Sequence, residues 1–146
     1  MATAPHILLL EARYYRDVTD MLAAGAVAAL EEWGATWERV ELSGAFEIPG
    51  GLRMAIATSR YDGYLALGCV IRGETSHYDH ICTEVARGIN DLAVRYIAPV
   101  GFGVLTVETY EQAVERADPA RRNKGREAAV ACIKMVELAA TLRVTG

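Results

Sequence analysis

A three-layer αβα sandwich around a four-stranded parallel sheet is the α/β fold this sequence predicts. Short apolar runs alternate with amphipathic helical stripes along the chain, which implies right-handed crossovers and a parallel sheet covered on both faces. The run Tyr64 to Ile71 is apolar almost throughout, as a strand buried on both faces should be. The 146 residues contain no linker, repeat or low-complexity run, which suits one domain spanning residues 1–146. The proportions are flavodoxin-like.

The elements follow in order. Ile7 to Leu10 is the first strand. Val18, Met21, Leu22, Gly25, Ala26, Ala29, Leu30 and Trp33 then recur at steps of three and four, one face of a helix that Gly34 can stop. Trp37 to Leu42 is the second strand. Pro49 suits the first turn of a helix running to about Arg60. After the strand Tyr64 to Ile71, the stripe from Tyr78 through Ile81, Cys82, Val85 and Ile89 to Tyr96 is a third helix. Ser76 is its expected N-cap, with Asp79 as a near capping-box partner. Pro99 to Val107 is the fourth strand. Thr109 with Gln112 is a capping-box pattern opening a short fourth helix. Asn123 is expected to cap a fifth, whose stripe is Ala129, Cys132, Ile133, Val136 and Ala140.

Composition narrows the function classes. Fifteen basic against 19 acidic residues leave a net charge of −4 and a pI of about 5.4, a poor basis for binding a phosphate backbone, so no nucleic-acid partner is expected. At 52% hydrophobic and 23% charged, the chain is not disordered. That apolar share is high for a small monomer and hints at a buried subunit interface. No run approaches the ~20 apolar residues that cross a bilayer, so no membrane role is expected. Met1 to Pro5 lacks the basic start of a signal peptide. Cys69, Cys82 and Cys132 are odd in number and widely spaced, so no disulfide framework is expected and a reducing cytoplasm is the simplest home. Cys82 and Cys132 read as small core residues on helical stripes.

In open α/β sheets ligands bind outside the carboxyl ends of the strands. Glu11 to Tyr15, Ser43 to Glu47 and Arg72 to His77 stand there. Arg72-Gly73-Glu74-Thr75-Ser76-His77 leaves a buried strand and opens a helix, where free N–H groups and the helix dipole favour an anion such as phosphate. His77 falls in the first turn, where a neutral ring can accept and return a proton. The bland alternative is that Ser76 caps the helix and His77 is solvated. Gly44-Ala45-Phe46-Glu47-Ile48-Pro49 sets a ring beside a carboxylate, a pair suited to a planar polyhydroxylated heterocycle, or a loop aromatic packing on its own core. Tyr14 and Tyr15 add two aromatics at the same edge. Arg116, Arg121, Arg122, Lys124 and Arg126 can gather anions or form a solvated helix turn. His77 and His80 could face one metal, but a third ligand is missing nearby, and no metal is expected. Gly101-Phe102-Gly103 lacks the third glycine of a dinucleotide fingerprint, since position 106 is Thr106.

Together these motifs resemble lumazine synthases. The resemblance rests on Gly44 to Pro49, on Leu67-Gly68 through Val70-Ile71-Arg72-Gly73-Glu74-Thr75-Ser76-His77-Tyr78-Asp79, on Glu111-Gln112-Ala113 through Glu115-Arg116-Ala117, and on Asn123-Lys124-Gly125. It covers nearly the whole chain in order. It implies condensation of 5-amino-6-(D-ribitylamino)uracil with 3,4-dihydroxy-2-butanone 4-phosphate, a step of riboflavin biosynthesis, with no metal or redox cofactor. It implies that Tyr14 stacks on the pyrimidine, where the family usually has Phe. Ala45, Phe46 and Glu47 then line the pyrimidine and ribityl pocket, and Cys69, Val70 and Ile71 present strand-end backbone to the ring. Glu74 and Thr75 lie in the phosphate loop, Arg116 clamps the phosphate, His77 transfers protons, and Phe102 and Lys124 complete the pocket. It further implies a homopentamer in which Phe102, Arg116 and Lys124 come from the next chain.

Tyr15-Arg16 departs from the Asn-containing turn of many members, and few residues precede the first strand. The link Asp118 to Arg122, stiffened by Pro119, differs from the glycine-rich connection of capsid-forming relatives and favours a free pentamer. Other readings of the same fold are an archaeal-type riboflavin synthase, a flavin- or lumazine-binding module with little catalysis, and a structural shell.

Overall fold

A computed structural model describes residues 4–142. Met1 to Thr3, part of the segment read for a signal peptide, lie outside the described residues. The elements are β1 (His6–Ala12), α1 (Arg16–Trp33), β2 (Thr36–Leu42), a single 3-10 turn (Ala45–Glu47), α2 (Ile48–Ala57), β3 (Gly63–Ile71), α3 (His77–Tyr96), β4 (Val100–Val107), α4 (Tyr110–Ala117) and α5 (Lys124–Thr141). The four strands form one all-parallel sheet in the order β2-β1-β3-β4. The sandwich expected from the sequence is therefore the one observed.

The alternation of side chains along the strands builds two cores. Ile7 and Leu9 of β1 face α1 and α5, packing with Leu22, Leu30, Cys132 and Ile133. Leu8, Leu10 and Ala12 face α2 and α3, packing with Ile48, Leu52, Val85 and Ile89. Each fully buried Leu, Ile or Val among these contributes roughly 1.5–3 kcal/mol. Helices α1 and α5 approach closely on the first face, because a Cβ at Gly125 would overlap the Leu22 carbonyl. Gly34 ends α1 in the left-handed conformation (φ 77°), and Ala35 N donates to Leu30 O at 3.0 Å.

Four local expectations change. Ser76 precedes α3 in helical geometry, and its side chain makes no capping bond. Thr75 Oγ1 instead accepts from His77 N at 3.3 Å, and Asp79 turns to Arg72 at 3.3 Å, so no capping box forms. Asn123 is left-handed (φ 49°) and caps nothing with its side chain. Its amide lies against Gly25, where any Cβ would collide with it. Cys82 is half-buried outside both cores, whereas Cys132 is fully buried. Helix α2 stops at Ala57, earlier than Arg60, as Thr58 Oγ1 donates back to Ala55 O and Ser59 turns left-handed. The α4 cap is as read: Thr109 Oγ1 accepts from Gln112 N at 3.1 Å, and Gln112 Oε1 reaches past Thr109 to accept from Glu108 N at 2.8 Å.

Candidate functional site

A cavity of about 300 Å³ opens at the carboxyl ends of β1 and β3, where the sheet topology directs ligands. Three loops build it. The turn after β1 brings Tyr14 and Tyr15, whose rings meet edge to face with centroids 4.9 Å apart. Tyr14 is 75% exposed. The 3-10 turn after β2 brings Ala45, Phe46 and Glu47. Ala45 is buried in the α2 and α3 core, and this anchor turns the Phe46 ring (60% exposed) and the Glu47 carboxylate outward. The end of β3 brings Cys69, Val70 and Ile71, and the first residue of α3 brings His77. Burial pushes the Cys69 thiol up to about 12, so it is a neutral wall and not a nucleophile at pH 7.

Chemically the cavity offers flat aromatic surface, a carboxylate that accepts from hydroxyls, and an exposed imidazole within one small volume. The loop from Arg72 to Ser76 leads into it. Glu74 and Thr75 are exposed on that loop and do not line the cavity. Thr75 is tied to His77 through the 3.3 Å bond to the His77 backbone.

A second cavity, about 330 Å³, lies along the edge strand β4, the end of α4 and the first turns of α5. Phe102, Arg116 and Lys124 line it. Phe102 stands mid-strand and is 46% exposed. Arg116, in the last turn of α4, donates from Nη1 to Gln112 O at 3.2 Å. Lys124, the first residue of α5, holds both oxygens of Glu127 at 3.2 Å from Nζ. The two cavities share no lining residue. The residues singled out in the sequence thus fall into two groups and the loop between β3 and α3.

Tyr15, Gly44 and Ile81 also line the first cavity, and Thr106 and Glu127 the second. Gly44 opens the motif Gly44 to Pro49 already read at the sheet edge, and two others left a trace in the sequence. Tyr15 adjoins Tyr14, and Glu127 sits three residues after Lys124, the spacing of a helical ion pair. Thr106 becomes a lining residue only because β4 is an edge strand.

The family model for 6,7-dimethyl-8-ribityllumazine synthase matches residues 4–140. The 6,7-dimethyl-8-ribityllumazine synthase of Erythrobacter litoralis is 50% identical over 131 residues, covering 90% of this chain and 93% of the relative. That of Agrobacterium fabrum is 47% identical over 139 residues, covering 92% and 94%. That of Novosphingobium aromaticivorans is 48% identical over 131 residues, covering 90% and 94%. A match that runs through every strand and all three loops of the first cavity leaves one conclusion: this chain belongs to the 6,7-dimethyl-8-ribityllumazine synthase family.

Proposed function

We infer that this chain condenses 5-amino-6-(D-ribitylamino)uracil with 3,4-dihydroxy-2-butanone 4-phosphate to 6,7-dimethyl-8-ribityllumazine, releasing phosphate and water. The observation that carries this reading is the family match across residues 4–140, which includes every residue of the aromatic, carboxylate and imidazole cavity. The alternatives of a riboflavin synthase and a non-catalytic binding module are not favoured, because the relatives matched over nine-tenths of the chain carry the synthase name.

The mechanism needs placement more than reactive groups. Tyr14 and Phe46 hold the planar pyrimidine, with Ala45 as floor and the strand-end backbone of Cys69, Val70 and Ile71 at its edge. Glu47 accepts hydrogen bonds from the ribityl hydroxyls. The butanone phosphate sits toward Glu74, Thr75 and the start of α3, where Ser76 makes no side-chain cap, Thr75 takes only the His77 N–H, and the helix dipole favours an anion. The amine attacks the ketone, and His77 moves protons as the carbinolamine loses water to an imine. Phosphate then leaves toward Arg116 of a neighbouring copy. Its departure follows loss of the proton from the carbinol carbon beside the imine and leaves an enol, whose keto form is the carbonyl on which the second amine closes the ring with loss of a second water. Holding both substrates in register supplies much of the acceleration, and a guanidinium facing the departing phosphate stabilises charge where it develops.

Phe102, Arg116 and Lys124 serve the site of a neighbouring copy in a homopentamer. Two facts support this: their cavity shares no residue with the cavity that holds His77, and β4 leaves one edge unpaired within the chain. A cytoplasmic setting fits substrates of this polarity, and no described helix is long and apolar enough to cross a membrane.

The test is to mix purified protein with both substrates and follow lumazine absorbance against a protein-free control. A protein-dependent rate is expected. A rate equal to the control, with ligand still bound, would leave a binding protein and overturn the catalytic reading.

A further inference from the structure

A charge lies buried beside the site and takes no part in the chemistry above. Glu11 of β1 is 1% exposed, on the sheet face where Ile7 and Leu9 are core residues. An apolar side chain would fill that position without desolvating a carboxylate, which is tolerated in a core only when fully paired. Here it is fully paired. Arg39 of β2 grips it with a two-pronged fork, Nε at 2.5 Å from one oxygen and Nη2 at 3.0 Å from the other. Arg13 adds a third bond, Nη1 to Oε1 at 2.7 Å.

The network ends at Tyr14. Arg13, the residue before it, is held at both ends. Its backbone N donates to Leu42 O at 2.9 Å, and its guanidinium bonds Glu11 and Asp20 and lies 2.9 Å from Glu41. Thr19 closes the turn from the helix side, donating from Oγ1 to Ala12 O at 2.7 Å and from its backbone N to Tyr15 O at 3.0 Å. None of Glu11, Arg13 and Arg39 lines the cavity, whereas Tyr14 and Tyr15 both do. The Tyr14 ring is too exposed for core packing to orient it, so its direction depends on the backbone that carries it and on its edge-to-face contact with Tyr15 in the same turn.

We propose that Glu11, clamped by Arg39 and Arg13, is a positioning residue that fixes the turn after β1 and so aims the Tyr14 ring at the heterocycle. The inference rests on the reading of Tyr14 as the stacking residue. It assigns the buried carboxylate to the pocket for the ribitylaminouracil and not to the phosphate half of the site.

The test is calorimetric titration of the assembled protein with 5-amino-6-(D-ribitylamino)uracil, in wild type, Arg39→Leu, Arg39→Lys, Tyr14→Ala and the double variant Arg39→Leu with Tyr14→Ala. Arg39 is half exposed and Glu11 keeps Arg13, so Arg39→Leu should fold, which its thermal midpoint checks. Arg39→Leu should weaken binding about tenfold and Arg39→Lys about threefold, because lysine restores one bond of the fork. In the Tyr14→Ala background the Arg39→Leu effect should vanish, a coupling that a merely structural role would not produce. Equal weakening in both backgrounds, or none in either, would overturn the proposal. An inactive wild type that still binds and shows the coupling would refute the proposed reaction and leave the positioning intact. A wild type that does not bind the ribitylaminouracil would overturn both.

Discussion

In the proposed reaction, His77 and Arg116 separate proton transfer from phosphate binding at the level of single side chains. His77 is exposed at the start of α3 and lines the cavity with the aromatic rings. General acid–base help contributes roughly 10²–10⁴-fold, and imine formation partly runs unaided, so His77→Ala should lower kcat by about 10²-fold or less with KM little changed. An unchanged kcat would remove His77 from the mechanism. Arg116 presents a guanidinium that donates to the neutral Gln112 carbonyl and lies 3.6 Å from the Glu115 carboxylate, a loose, partly exposed pair that an incoming phosphate can displace. Losing a charge-assisted bond costs about 1.5–3 kcal/mol, so Arg116→Ala should raise KM for the butanone phosphate by roughly 10–100-fold. Steady-state kinetics with each substrate varied in turn reads this. A KM for the phosphate substrate that stays at the wild-type value would refute the clamp.

Helices α1 and α5 meet at the level of elements, through two glycines. A side chain at Gly125 would strike the Leu22 carbonyl, and one at Gly25 would strike the Asn123 amide. Backbone cannot give way as a rotamer can, so Gly125→Ala should destabilise the fold by about 3 kcal/mol or more. Urea unfolding measures it, and a midpoint within error of wild type would show that the helices can part cheaply. The same crossing sets the start of α5, so the variant should also displace Lys124 in the second cavity. The orphaned Asn123 Oδ1, buried with no hydrogen-bond partner among the described residues, lies at this contact.

The whole molecule carries two further predictions. Cys132 is buried in the core between the sheet and α5, and burial pushes its thiol up to about 12 from an ordinary 9.0, as it does for Cys69. The unfolded chain loses these protons near pH 9, while the folded chain keeps them to about 12. Stability is therefore full below pH 9 and falls as pH rises between these values. Buried Tyr64, also raised by burial, acts in the same direction. Urea midpoints should decline steadily above pH 9, and Cys132→Ala should show a shallower decline than wild type. Equal slopes would remove the thiol from the account. At the level of assembly, light scattering should give a mass about five times the 15.9 kDa chain. A mass near a megadalton would show a closed shell and refute the free pentamer.

The sequence by itself determined the alternation of strands and helices, because burial on two faces writes continuous apolar runs for β1 and β3 and period-3.6 stripes for the helices. It determined which loops stand at the carboxyl edge, and the order of motifs in those loops was specific enough to indicate the family. Tyr14, Phe46, Glu47 and His77 were legible for that reason, and the fold brings them to one cavity. Only the tertiary structure decided the rest. Strand order is set by long-range pairing that no local pattern encodes, and it made β4 an edge and separated Phe102, Arg116 and Lys124 from the first cavity. Ser76 and Asn123 looked like caps because their side chains suit the role, but a cap also needs extended backbone, and packing held one in helical and the other in left-handed geometry. Glu11 looked like an ordinary polar residue at a strand end. Its burial, and with it the clamp on Tyr14, depends on arginines from the turn and from β2, a neighbourhood that exists only once the sheet is formed.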